Sequence, residues 1–567
     1  MLDTDKNICS ILIDVLAGQG VKEIVCSPGS RNAPLIIAAQ AREELRKHVV
    51  VDERSAGYFA LGISIVSKSP VALICTSGTA LLNYAPAVAE AFYQGIPLIV
   101  ISADRPEQWI DQDDSQTIKQ FKALQNIVKA SYDLSEKTYP ESDLDWYANR
   151  IANEAMLTAL SGKKGPVHIN VRLSEPLGCK TEREENKENR IISLLQADTF
   201  INKEIINNLA SELASHRVML VGGYMQPDAA MQKAFAEFSH LSNVVVMTET
   251  LSNVHIDGDN YSIDSILTYL TEEEKEKLRP DIIISVGGSL VSRKLKEYLR
   301  TTGRNCRHWN VGLTGYTADC FKSMTLKIEV EPSRFLRNIA KRLSRISIDD
   351  EVSSFKSQWQ EKRKEAKIVK TNYIKEAPWS ELKIFDTVLK SIPASFNLFL
   401  SNGTAVRYAQ IIPYKLPHAS YCNRGVSGID GSVSSAVGGA VSYGGKTLLI
   451  TGDLSLSYDM TALTLCQVPN SMKIIVIDNA GGGIFRFIPS TCRLEEREKY
   501  FCADPSLKPD KIAEAYGWEF YDVVNEDKLK KCLPKFFNSD RKSLMRIKCD
   551  GITSAEVLKG YMNEKRN

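Results

Sequence analysis

Two strongly apolar runs end in side chains that can hold a metal. Thr447-Leu-Leu-Ile-Thr-Gly-Asp-Leu-Ser455 closes on Asp453. Lys473-Ile-Ile-Val-Ile-Asp-Asn-Ala-Gly-Gly-Gly483 closes on Asn479, 26 residues further on, with a helix-like stretch between. Two parallel strands joined by a helix bring their carboxyl ends to one sheet edge, so both side chains face the same place. A carboxylate and an amide carbonyl are hard oxygen donors of the kind magnesium takes, usually together with phosphate oxygens. The backbone after Ala480 offers a further carbonyl. The turn at Leu454-Ser455 opens a helix whose N–H groups favour a phosphate. Taken singly, Gly-Asp and Asn-x-Gly mark only βα turns. As a pair on such strands they predict a metal-bound diphosphate. Other phosphate fingerprints do not fit: there is no G-x-x-x-x-G-K-S/T loop, and Gly481-Gly482-Gly483 does not give G-x-G-x-x-G.

A second set of residues would bind anions. Arg31 in Ser27-Pro-Gly-Ser-Arg-Asn32, Arg105 in Ser102-Ala-Asp-Arg-Pro106, Arg407, and Arg424 in Asn423-Arg-Gly-Val-Ser-Gly428 lie in turns rather than on regular faces. Guanidinium groups grip carboxylates in bidentate fashion. Any one of them is ordinarily a surface ion pair, but a substrate with several carboxylates would need such a set. Glu53 ends the run Val49-Val-Val51 and is, taken alone, a charge in a βα turn.

The elements that must position these residues repeat one pattern, an apolar run, a Gly/Ser/Asp turn and a helix-like stretch. Val21–Cys26, Val49–Val51, Val71–Cys75, Pro97–Ile101 and Pro166–Arg172 are strand candidates of a first block, 1–180. Lys180 to Arg190 is charged and reads as a linker. A central block, 191–345, has Val218–Val221, Val244–Met247 and Asp281–Val286, with Gly222-Gly223 and Gly287-Gly288 after two of them. Ile348 to Lys375 is charged and helix-like. The third block, 376–567, echoes the first: TLLITGDLS and KIIVIDNAGGG match VALICTSGT and PLIVISADR in pattern. The fold class is α/β, three doubly wound parallel-sheet domains, with ligands beyond the carboxyl ends of the strands.

Composition narrows the function. Of 567 residues, 43% are hydrophobic and 25% charged, an ordinary globular balance. Lys plus Arg number 71 against 69 Asp plus Glu, which gives no reason to expect nucleic acid as a partner. The 12 cysteines form no C-x-x-C pair and read as reduced thiols. MLDTDKNICS lacks the features of a signal peptide, and no apolar run is long enough to span a membrane. A cytoplasmic protein is expected.

Ser27-Pro-Gly-Ser-Arg-Asn-Ala-Pro-Leu35, Asp52-Glu-Arg-Ser-Ala-Gly57, Ser102-Ala-Asp-Arg-Pro106, Asn423-Arg-Gly-Val-Ser-Gly-Ile-Asp-Gly431 and Gly452-Asp-Leu-Ser-Leu-Ser-Tyr-Asp459 together resemble the 2-succinyl-5-enolpyruvyl-6-hydroxy-3-cyclohexene-1-carboxylate synthases, thiamine-diphosphate enzymes of menaquinone biosynthesis. The resemblance spans nearly the whole chain and is weakest in the central block. It implies a pyrimidine-binding first domain, a central domain and a diphosphate-binding third domain. The implied reaction decarboxylates 2-oxoglutarate and adds the resulting four-carbon unit to isochorismate in a Stetter-like 1,4-addition. The implied cofactors are thiamine diphosphate and Mg2+ (or Mn2+), in a homodimer or homotetramer with active sites at the subunit interface.

By the same resemblance Glu53 shares a proton with the aminopyrimidine of the cofactor, and Ile429 is the apolar wedge that holds it bent. Asp453, Asn479 and the Gly481 carbonyl ligate the metal, with Leu454 and Ser455 at the diphosphate. Ser30, Arg31, Arg105, Gln116, Arg293, Lys294, Arg407 and Arg424 contact substrate. Three positions depart from the family pattern. Gly403 stands where a serine is common, Arg293-Lys294 reverses a common Lys-Arg order, and Asp478 replaces a common Asn. Two competitors remain. One is an acetolactate synthase-like decarboxylase or carboligase, against which the number of turn arginines argues. The other is a catalytically silent metabolite-binding protein of the same fold.

Overall fold

Unbroken Val, Ile and Leu runs are buried on both faces, as strands of helix-covered parallel sheets must be. The computed structural model describes residues 2–137, 140–182, 189–256, 263–302, 306–313 and 315–563. It contains three parallel sheets. The first has the spatial order Arg46–Val49, Glu23–Cys26, Val71–Cys75, Leu98–Asp104, Val167–Arg172, Ser131–Ser135. The second runs Val244–Thr248, Val218–Gly222, Ile282–Val286, Arg307–Val311, Met324–Ile328. The third runs Ala419–Tyr421, Asn397–Leu400, Thr447–Gly452, Met472–Asp478, Ser543–Lys548, Glu519–Val523. The first and third therefore share one strand order, and the two echoing segments fill the same central slots. In each sheet the order reverses between the first and third of its strands, the crevice where open α/β sheets bind ligands.

The chain divides into two compact units. One comprises Met1–Gln196, Asn423–Thr447 and Tyr458–Met472, and the other Ala197–Cys422, Leu448–Ser457 and Lys473–Asn567. Within the first, the helices Glu53–Ser67 and Ser432–Tyr443 cross at backbone contact, because Gly62 and Gly438 present no side chain to the facing carbonyls of Ser435 and Phe59. Buried Asp459 anchors the second helix by accepting the Ser434 amide (2.7 Å) and hydroxyl (2.6 Å).

The second unit holds the other two sheets. Its five-stranded sheet is filled at its own crevice. The Gly223 amide donates to the Val286 carbonyl (2.9 Å) and the Gly288 amide to the Tyr224 carbonyl (2.8 Å). Asn253 then ties the Met225 carbonyl (2.7 Å) to the Ser420 carbonyl (2.9 Å), and the Gln410 amide oxygen accepts from the Thr250 amide (2.9 Å). The two glycine pairs thus let the loops close on each other and on the third sheet's surroundings.

Two local expectations shift. The strand expected at Val49–Val51 lies at Arg46–Val49, because its partner Glu23–Cys26 ends in register there; Val51 is left 74% exposed. The charged stretch expected as a linker begins as a strand, Lys180–Glu182, antiparallel to Leu2–Thr4. Its side chains are exposed, so backbone pairing alone orders it. Residues 183–188 lie outside the described residues.

Candidate active site

At the third sheet's centre Asp453 follows the strand Thr447–Gly452 and Asn479 follows Met472–Asp478. Both are nearly fully buried. One Asp453 oxygen accepts the Leu454 amide (2.7 Å) and the other the Gly481 amide (2.8 Å), so the two turns are tied together. The Leu454 amide is thereby engaged with Asp453 at the first turn of the helix Asp453–Tyr458. The Asn479 amide nitrogen donates to Glu381 Oε1 (2.6 Å), while its carbonyl oxygen is buried with no hydrogen-bond partner. A buried oxygen left unpaired is costly. Beside a carboxylate it is the donor a magnesium or manganese ion would take.

The glycine run finishes the turn. Gly481 has φ +107°, and a side chain there would collide with the Cys502 carbonyl. Burial, with Asp478 and Glu381 nearby, pushes the Asp453 carboxyl up to about 7 against the lowering effect of its two amide donors. A bound cation acts in the opposite sense. Asp478 has basic neighbours: Arg546 lies 4.0 Å away, and its charge and that of Lys548 oppose the upward shift that burial causes.

A cavity of about 300 Å3 in the same unit gathers Arg293, Lys294 and Arg407. Arg293 and Lys294 open the helix Arg293–Thr302 and share Glu297, at 2.6 and 3.6 Å. Both therefore reach the cavity in the reversed order found here. Arg407 donates to the Gly403 carbonyl (2.6 Å). Gly403 has φ +97°, which a serine would adopt only with strain. Asp264 also lines the cavity. Burial raises its pKa, and the Ser292 hydroxyl, Lys294 and Arg407 oppose that rise. The remaining wall is largely apolar, from Phe487, Ile488, Leu558 and Met562.

In the first unit Glu53 is the first residue of the helix Glu53–Ser67, whose cap Asp52 accepts the Arg54 amide (3.0 Å). The Glu53 carboxylate is half-buried and makes no hydrogen bond or ion pair among the described residues. Arg31 is buried, donating to the Leu173 carbonyl (3.1 Å) and pairing with Glu175 (3.1 Å). Burial and then Arg105 lower its pKa, which marks the two guanidiniums as neighbours. Ser30 beside it is exposed.

Arg105 binds the Ser115 carbonyl (2.9 Å) and Asp114 (2.9 Å), and so pins a loop in which Asp111, Asp113, Gln116 and Lys122 all have positive φ. Strain of this kind is held only where surrounding contacts fix it. Gln116 is exposed on that loop. Arg424 and Ile429 sit on the loop whose Gly425 and Val426 amides donate to buried Glu90. Tyr58 binds Asp430 (2.9 Å) on the same loop.

Comparison with known proteins decides the family. The thiamine pyrophosphate enzyme, N-terminal TPP binding domain matches residues 6–124, and the C-terminal TPP binding domain matches residues 402–547. A 2-succinyl-5-enolpyruvyl-6-hydroxy-3-cyclohexene-1-carboxylate synthase of Porphyromonas gingivalis is 40% identical over 98% of this chain and 97% of its own length. Synthases of the same name from Flavobacterium johnsoniae and Bacteroides thetaiotaomicron are 36% and 35% identical, each over at least 98% of both chains. The chain belongs to this synthase family. It is an enzyme, and its cofactor is thiamine diphosphate.

Several residues around the family site carry no sequence motif. Glu381 holds the Asn479 amide. Arg486 donates to the carbonyls of Asn479 and Ala480 (both 3.2 Å) and pairs with Glu498 (2.9 Å). That pairing, with its hydrogen bonds, lowers the Glu498 carboxyl to about 2. Lys559, on the C-terminal helix Gly551–Asn563, adds a further cation to the cavity wall. Only the basic and apolar spacing along that helix could have marked it.

Proposed function

We propose that the enzyme decarboxylates 2-oxoglutarate and adds the four-carbon product to isochorismate in a Stetter-like 1,4-addition. The product is 2-succinyl-5-enolpyruvyl-6-hydroxy-3-cyclohexene-1-carboxylate, made for menaquinone biosynthesis. The observation that carries this reading is the cavity that Arg293, Lys294 and Arg407 line together with several apolar side chains. Both substrates carry two carboxylates and an apolar body. A pyruvate-using carboligase would have no use for so many cations. When bound, thiamine diphosphate supplies the electron sink for decarboxylation.

This chain's residues bind, orient and move protons. Asp453, Asn479 and the Gly481 carbonyl hold Mg2+ (or Mn2+), with Leu454 and Ser455 at the diphosphate. Glu53 holds a proton at the pyrimidine ring nitrogen, which suits a carboxylate that makes no hydrogen bond or ion pair among the described residues. Ile429 would pack against the cofactor. Arg31, Arg105 and Arg424, with Ser30 and Gln116, receive substrate carboxylates, which displace Glu175 and Asp114 from the first two arginines. Gly403 leaves its carbonyl to orient Arg407 in place of a hydroxyl contact.

Residues 1–180, 191–345 and 376–567 act as pyrimidine-binding, central and diphosphate-binding domains of a cytoplasmic homodimer or homotetramer, with active sites at the subunit interface. No helix among the described residues is long and apolar enough to cross a membrane. The filled crevice of the central sheet disfavours a protein whose role is to sense a nucleotide there.

The test is isochorismate consumption, followed by its loss of ultraviolet absorbance. Protein, 2-oxoglutarate, thiamine diphosphate and magnesium are combined, then each is omitted in turn. Turnover that needs all four supports the reading. Loss of carbon dioxide from 2-oxoglutarate without isochorismate consumption would point to another acceptor.

A further inference from the structure

We propose that Glu381 is the positioning residue that turns the Asn479 amide so that its carbonyl oxygen faces the metal. The inference rests on the metal site proposed above and adds a residue to it. Glu381 opens the helix Glu381–Ser391, is 2% exposed, and places Oε1 2.6 Å from the Asn479 amide nitrogen. An amide can rotate by half a turn and exchange its donor and acceptor ends at almost no steric cost. Metal binding tolerates only one of the two orientations, because an N–H2 group cannot ligate a cation. A carboxylate oxygen accepts, so the nitrogen must face Glu381. The carbonyl oxygen is thereby held on the other side, where it is buried and unpaired.

The surroundings remove the other freedoms. Arg486 holds the Asn479 and Ala480 carbonyls, which fixes the backbone of the turn. The Gly481 amide is held by Asp453. Gly483 clears the space for the pair: a side chain there would meet the Asn479 amide nitrogen first and Glu381 Oε1 next. What remains is rotation of the Asn479 side chain, and Glu381 blocks it. Burying a carboxylate beside Asp453 is costly. A helix start in this place could be served by a neutral residue, so the acid is explained by what it orients.

The experiment titrates Mn2+ into thiamine-diphosphate-saturated protein and reads free Mn2+ by electron paramagnetic resonance, which needs no turnover. Removing the acceptor with Glu381→Met should weaken Mn2+ binding about 10- to 100-fold, the range for partners that orient a ligand. Glu381→Gln, which can still present an oxygen to the amide, should stay within about threefold of the unaltered protein. Unchanged affinity in Glu381→Met would overturn the proposal. So would a loss of tenfold or more in Glu381→Gln, since charge rather than orientation would then matter; this second variant decides the case even if the first does not fold. If the unaltered protein itself takes up no Mn2+, the metal-site reading fails instead.

Discussion

The first and third sheets have the same six-strand order, and their central strands share an apolar pattern, yet their turns carry different chemistry. Leu98–Asp104 and Met472–Asp478 are both seven-residue strands ending in Asp. After the first comes Arg105, which grips a carboxylate and a carbonyl; after the second comes Asn479, whose carbonyl oxygen is buried with no hydrogen-bond partner. The neighbouring turn carries Ser77 in the first sheet and Asp453 in the third. One topology therefore carries an edge lined by a guanidinium and an edge lined by oxygen donors, the proposed anion and cation edges. The backbone decides where the side chains meet, and a few residues decide which sign of charge they hold.

The comparison breaks most sharply at the cation edge. Asp453→Ala removes the carboxylate and should lower Mn2+ affinity by more than about 100-fold, beyond the loss from an orienting partner. Turnover should fall below detection, and excess magnesium should not restore it. Chelation of the metal in the unaltered enzyme should copy this effect reversibly. If Asp453→Ala still binds Mn2+ normally, the two edges do not differ as argued.

Glu53→Gln tests the catalytic group proposed for the first unit. It should cost about 10^2- to 10^4-fold in turnover, the usual worth of a positioned acid or base, with thiamine diphosphate still bound. Tight cofactor binding with normal turnover would remove Glu53 from the mechanism. Arg105→Gln should act more mildly, raising the KM for the dicarboxylate about 10- to 100-fold. Its Mn2+ affinity should match the unaltered enzyme. A variant with weakened Mn2+ binding would mean that the anion and cation edges are not separable.

These contrasts were partly legible in the sequence. Asp453 and Asn479 were marked by ending two apolar runs, and the structure ties their turns through the Gly481 amide. The echo between the two blocks foretold the matching central strands. Glu381 and Arg486 were not legible, because each reaches its partner from a separate element whose docking no local pattern encodes. Arg293 carried no signal either: it is an exposed residue opening a basic helix whose Leu295, Tyr298 and Leu299 are buried, and it is singled out only by the cavity at that helix's start. The strand expected just before Glu53 was placed about three residues late at its start and two at its end, since register with a neighbour, not valine content, ends it.

The smallest expected effect lies in the interiors of the two sheets. Register places His168 opposite Val100 in the first sheet, and Leu544 opposite Ile474 in the third. The third sheet is apolar at this position. The first carries a buried network in which the Ser102 hydroxyl meets His168 Nε2 (2.8 Å) and Asn170 (3.0 Å), and Asn170 reaches Asp104 (2.9 Å). Burial lowers the His168 pKa from 6.5 to about 4. In the unfolded chain the imidazole takes up its proton near pH 6.5, while in the folded chain it stays neutral until near pH 4. Unfolded protein therefore binds more protons in that window, and stability is lost as pH falls through it. Between pH 7 and 5.5 the share of His168 is a loss of about 1 kcal/mol, read by comparing the midpoints of denaturant unfolding of the unaltered protein and a His168 variant at the two pH values. His168→Gln should be less stable at pH 7 and should lack this share of the pH slope. The buried His308, also lowered to about 4, leaves a similar share in place, while the buried carboxyls of Asp453 and Asp459, both raised to about 7, act with the opposite sign, so the variant is read by the difference between its slope and that of the unaltered protein. An unchanged slope would mean that the first sheet tolerates a charged imidazole where the third has leucine.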